Sequence, residues 1–141
     1  MSFTIRYLSG EDIEALQLTN DEILDSIEGS LVAQGNQQTV IEPRMHLIPD
    51  KDFAGHFNVL RGYIAPFNLA GVKVVGDFVN NYKQSLPSEF GMLNLMDAQT
   101  GRPLAIVDAT DITEMRTGAV TAIAAKYFAP SKPKILGHIG A

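Results

Sequence analysis

The chain has no cysteine, and only 19% of its 141 residues are charged. Without cysteine it has no disulfide, no thiolate metal ligand and no thiol nucleophile. Eleven Lys and Arg stand against sixteen Asp and Glu, a net charge of −5, and the basic residues are scattered. A nucleic-acid backbone is held by clustered cations, so no nucleic-acid partner is expected. No run approaches the roughly 18 consecutive apolar residues that cross a bilayer. Met1–Gly10 lacks the basic start and apolar stretch of a signal peptide. A soluble, cytoplasmic protein with no membrane partner is the expectation. What the chain does have is apolar substance: 45% of residues, with mean hydropathy +0.04. That is enough for one ordinary core, and so few charges leave room for a buried interface.

Ser9 followed by Asp12 has the spacing of a capping box and predicts a short helix through about Leu16. Thr19 followed by Glu22 repeats the signal, and Ile23, Leu24, Ile27 and Leu31 continue it at helical spacing. The pattern then changes to short β-rich runs at Val40–Ile48, His56–Ile64, Gly71–Phe78, Gly91–Met96 and Leu104–Ala109, separated by turn chemistry. Such spacing suits an antiparallel meander. Val79–Phe90 is the longest polar connection and a candidate functional loop. Asp111 with Glu114 suggests a third capping box, opening a long helix to about Tyr127 or Phe128, with Pro130 just beyond. Ile135–Ile139 reads as a single buried strand ending at Gly140-Ala141, where a dinucleotide fold would begin its phosphate loop.

Three cations invite chemistry. Arg44 falls inside a predicted strand, and its plain reading is an exposed arginine paired with Glu42 or Asp50. Lys73 lies among Val72, Val74 and Val75 in what looks like a central strand. Lysine is rarely buried alone and shifts its pKa readily, although an edge-strand lysine that discourages aggregation is equally open. Arg116 falls in the first turns of its helix, where free N–H groups and the dipole favour an anion. Its fork suits a carboxylate or phosphate, and a salt bridge to Glu114 or Asp111 is the alternative. The small residues after Thr117 (Gly118, Ala119, Ala122, Ala124 and Ala125) point first to close backbone packing. His46, His56 and His138 match no metal-ligand spacing, so no metal is expected, and no nucleophile elbow is visible.

Five landmarks in order carry a family resemblance. They are Pro43-Arg44, GVKVV at Gly71–Val75, Asn81 before LPSEFG, MDAQTGRPLAIVDAT, and ITEMRTGA. Together the chain resembles the ornithine cyclodeaminase/mu-crystallin family from YLSGEDIEAL through ILGHIGA. The resemblance implies a two-domain enzyme whose antiparallel N-terminal sheet dimerises and binds substrate, beside a Rossmann domain that binds NAD or NADP. It assigns Arg44, Lys73 and Arg116 to the substrate carboxylate, with Lys73 also assisting proton movement. Ser88, Arg116, Thr117, Gly140 and Ala141 fall to the cofactor. Cyclodeaminases carry a glutamate in the strand before the lysine; FNVLRGYI here has none, and Arg61 supplies the opposite charge. A basic substrate is therefore not expected, and Arg61 is a candidate for a second substrate carboxylate.

The expectation is an α+β chain in two parts. Residues 1–130 form a substrate-binding, homodimerising domain, and 131–141 the truncated start of a Rossmann domain. The parent enzyme would transfer hydride at the α-carbon of an amino acid or its imine, while these residues alone would bind a carboxylate without turnover. The alternative is a non-catalytic small-molecule-binding or dimerisation module.

Overall fold

The computed structural model describes residues 3–137 and 139. The elements run β1 (Arg6–Leu8), α1 (Gly10–Ala15), α2 (Asn20–Gly35), β2 (Thr39–Ile41), β3 (Met45–Leu47), β4 (Gly55–Ile64), β5 (Leu69–Phe78), β6 (Glu89–Asp97), β7 (Pro103–Asp108) and α3 (Thr110–Phe128). They build one seven-stranded sheet in the order β1-β7-β6-β5-β4-β2, with β3 also pairing with β4.

Both N-terminal helices start where the spacing predicts. The Ser9 hydroxyl accepts from the Asp12 N–H at 3.2 Å, and the Asp12 carboxylate accepts from the Ser9 N–H at 2.8 Å. Thr19 and Glu22 form the same reciprocal pair. These hydrogen bonds hold both carboxyls below their ordinary range. The expected box at Asp111 and Glu114 does not form, because the helix starts two residues earlier, with Ala109 as its cap residue. Asp108 accepts from the Thr110 N–H at 3.0 Å, and the Thr110 hydroxyl accepts from the Gly91 N–H at 3.1 Å. The end of β7 thus supplies the cap, and Thr110 ties the helix to β6.

Strands β4 to β7 form the expected meander, each antiparallel to its chain neighbour. Asp97 closes the last hairpin by accepting from the Gln99 and Thr100 N–H groups, and Gly101 supplies a φ of +71°. Three features differ from the sequence expectation. The sheet is mixed, because β1 lies parallel to β7; three residues are too few to show a period. The strand expected at Val40–Ile48 is split into β2 and β3. Pro43 has no N–H to give a ladder, so Arg44 stands in the break rather than inside a strand. Finally, 135–137 and 139 form no strand, and Ile135 is 93% exposed. A strand needs a hydrogen-bonding neighbour, and among the described residues none lies beside this segment. His138, Gly140 and Ala141 lie outside the described residues.

Alternation along the strands sorts the sheet into two faces. One carries Leu8, Leu93, Leu95, Ala105 and Val107, packed on Ile13 of α1 and Ile112 of α3. Over it α2 is tied to α3 where Lys126 and the Tyr127 hydroxyl both donate to Glu28. The other face presents Phe57, Val59, Val72, Val74, Met92 and Ile106, with no helix across it among the described residues.

Gly91 sets how closely α3 approaches β6. A Cβ there would stand 2.8 Å from the Ala109 carbonyl oxygen and 2.9 Å from its carbon. Backbone cannot give way as a flexible side chain does. Gly91→Ala is expected to lower stability by roughly 1–3 kcal/mol, read as a drop of several degrees in Tm. An unchanged Tm would contradict this close approach.

Candidate functional site

Lys73 sits mid-strand in β5, which is flanked on both sides by β4 and β6, so the edge-strand reading falls. Its register partners are Leu60 and Leu93, placing it on the helix-covered face. Its ammonium donates to the Thr113 hydroxyl at 3.2 Å, and that hydroxyl donates to the Ala109 carbonyl at 2.7 Å. A hydroxyl has one proton. With that proton on Ala109, the lone pairs face Lys73 and fix the direction of its side chain.

The Lys73 pKa lies below the usual lysine value. Burial is the largest cause, the positive charge of Arg116 comes next, and Arg44 adds a smaller push against the opposing pull of Glu89. Arg44 from the β2–β3 break and Arg116 from α3 are therefore brought to the same lysine. Neither forms an ion pair among the described residues. Glu42, a candidate partner for Arg44, meets Arg61 instead at 3.6 Å. Three cations around a half-buried point repel one another, and an anion placed among them removes that repulsion. Arg116 is the seventh residue of α3, past the free N–H groups of the first turn. Its attraction for an anion comes from its own charge, not from the helix terminus as its sequence position suggests.

Thr113 is the member that the sequence reading missed. Its position three residues before Arg116 puts the two on one helix face, which is the signal that points to it. Thr117 is exposed one residue on, its hydroxyl donating to the Thr113 carbonyl at 2.7 Å. Ser88 is exposed just before β6, its carbonyl accepting from the Phe78 N–H. Gly140 and Ala141 lie outside the described residues. Arg61 is not brought to the cluster. It pairs in register with Val72, so its side chain leaves the opposite face from Lys73. The His46 and His56 rings lie 5.5 Å apart, and among the described residues no three potential ligands could hold a metal ion. No helix of the described residues is long and apolar enough to cross a membrane.

The charges of Lys73, Arg116 and Arg44 together favour a small anion at this point. Beside it a cavity of about 420 Å³ runs between α2 and the sheet, with Lys73 in its lining.

Comparison with known proteins matches residues 6–141 to the pattern of the ornithine cyclodeaminase/mu-crystallin family. The chain is 33% identical over 135 residues to alanine dehydrogenase from Archaeoglobus fulgidus, covering 94% of this chain and 39% of that protein. Among solved structures it is similar to Thermococcus litoralis Δ1-pyrroline-2-carboxylate reductase in complex with NADH and L-proline. The TM-score is 0.84 at 32% identity, over 89% of this chain and 38% of that one. An archaeal alanine dehydrogenase dimer with bound NAD gives a TM-score of 0.82 at 29% identity, with the same coverage. The chain thus spans well under half the length of these relatives.

Proposed function

Because the chain belongs to the ornithine cyclodeaminase/mu-crystallin family, we propose that it is the substrate-binding part of an NAD(P)-dependent oxidoreductase acting on an α-amino acid or its imine. The observation that carries the reading is that Arg116 and Arg44 both act on the half-buried Lys73, with Glu89 as the opposing charge and no ion pair at either arginine among the described residues. Related proteins that carry alanine dehydrogenase and pyrroline-2-carboxylate reductase activities by name support it.

In this reading Arg44, Lys73 and Arg116 take the substrate carboxylate. Holding it from three sides fixes the α-carbon against the face where the reaction occurs. Thr113 keeps the Lys73 ammonium aimed, while the two remaining ammonium protons are free to reach the substrate. A bound carboxylate also raises the Lys73 pKa back toward its ordinary value, keeping the site cationic during binding. The unliganded amine is easier to deprotonate, which suits Lys73 to pass a proton to or from a neighbouring group.

The exposed face of α3 fits the chemistry of a dinucleotide. Arg116, beside the carboxylate it holds, lends positive charge to this face, Thr117 keeps the lone pairs of its hydroxyl open to a donor, and Ser88 is a further exposed group for the same cofactor. NAD or NADP, when bound, supplies or accepts the hydride. Basic substrates are disfavoured, since a fourth cation would meet three others and Leu60, not an acid, stands opposite Lys73.

The unpartnered apolar face is the basis for proposing a homodimer. The chain exposes 10722 Å², whereas a compact monomer of its mass exposes about 7,100 Å². A second copy packed sheet to sheet would cover part of that excess, about 1,000–2,500 Å² for a large obligate interface; the exposed Ile135, Leu136 and Ile139 hold more of it.

The test is ligand-induced stabilisation. Pyruvate at about 100 times its Kd is expected to add roughly 2.7 kcal/mol, a clear rise in Tm that acetamide at equal concentration does not give. No rise with any α-substituted carboxylate would sink the reading.

A further inference from the structure

The cavity beside Lys73 has a shape and lining that speak to what else the ligand carries. It follows β5 from Lys73 to Leu69, four residues of strand or about 13 Å. Leu60, Leu93 and Leu95 form its sheet wall, and Ile27 and Leu31 of α2 its roof. Gly71 keeps the floor low: a Cβ there would lie 3.4 Å from both the Leu93 and Leu95 methyls and 3.1 Å from the Asn94 carbonyl. Of the lining residues only Lys73 and Arg61 are ionised. Arg61 leaves the opposite face of β4, where its Nη2 meets Glu42 at 3.6 Å and its Nη1 is buried without a partner, so among the lining residues the cation on the helix-covered face is Lys73. Volumes of about 300–1,000 Å³ are those of small-ligand sites, apolar with a few fixed polar groups.

We infer that this cavity receives the side chain of the substrate, and that the substrate class is an α-amino acid or imine with an extended apolar side chain. The inference rests on the proposed carboxylate site. With its carboxylate at Lys73, the side chain of such a ligand has an apolar shaft to enter and no counter-charge for a second acid or an amine. A second carboxylate at Arg61, expected from the sequence, is replaced by this reading.

The experiment is calorimetric titration of the protein with 2-oxo acids of increasing length, from glyoxylate through pyruvate to 2-oxohexanoate, and with oxaloacetate and 2-oxoglutarate. The Kd is expected to fall about three- to fourfold per added methylene, with the dicarboxylates weaker than monocarboxylates of equal length. Leu31→Trp, on the partly exposed helix that roofs the cavity, is expected to flatten the series by filling the shaft. A flat series in the unaltered protein, tighter binding of the dicarboxylates, or a slope that survives Leu31→Trp each overturns the inference. Failure of glyoxylate and pyruvate to bind at all overturns the carboxylate site itself, so the two failures are distinct.

Discussion

Replacing Lys73 with methionine is expected to weaken 2-oxo acid binding by about 10- to 100-fold, the range set by losing a charged hydrogen bond. It is also expected to stabilise the free protein. Both effects have one cause. Lys73 is held half-buried against Arg116 and Arg44, which lowers its pKa. Between that lowered value and the unfolded lysine value near 10.4, the unfolded chain binds more protons than the folded one. Stability therefore rises with pH across that window, because raising the pH removes a proton that the folded state holds poorly. Methionine fills similar space without charge, so the variant should start higher in Tm and lose this part of the rise. A saturating carboxylate should flatten the slope in the unaltered protein. Calorimetric titration, with Tm followed from pH 7 to pH 10.5, reads all of these. A Lys73→Met protein that binds pyruvate normally would remove Lys73 from the site.

Val74→Glu tests the other face of the same strand, and a change of assembly is expected. Val74 pairs with Val59 and Met92 in the centre of the apolar face. A carboxylate buried there between two copies has no partner, which costs several kcal/mol and should separate them. Sedimentation equilibrium should give about twice 15.3 kDa for the unaltered chain and 15.3 kDa for the variant. In the monomer the residue faces water, so the variant should stay folded. Equal masses for the two proteins, whether monomer or dimer, would show that this face is not the interface.

The long strands and the two capping boxes are readable in the sequence because each is a local signal repeated over several residues. The three cations are legible for different reasons: Arg44 and Lys73 are charges among apolar neighbours, and Arg116 stands near the start of a helix. The opposite sides taken by Lys73 and Arg61 were not legible, because that depends on the register of β4 against β5. Arg61 opposes Val72 and Leu60 opposes Lys73, and a shift of one residue would have exchanged them. Thr113 escaped notice because its part depends on Lys73, 40 positions away. The early start of α3 depends likewise on Asp108 and Gly91, which only the fold brings to Thr110.

The parallel seam between β1 and β7 bears on how the chain assembles. Arg6 meets Ala105 and Leu8 meets Val107, about 100 residues along the chain, whereas β4 to β7 pair with immediate neighbours. Contacts so distant carry the larger loop-closure entropy and form late. During synthesis the first strand therefore waits for about a hundred further residues to emerge, while the hairpins close as they are made. Until it docks, β7 is an open edge, with Val107 beside unpaired backbone groups, and another chain's strand can add there. The three short residues of β1 thus act as the cover of the growing sheet, and a chain that loses them should aggregate while being made.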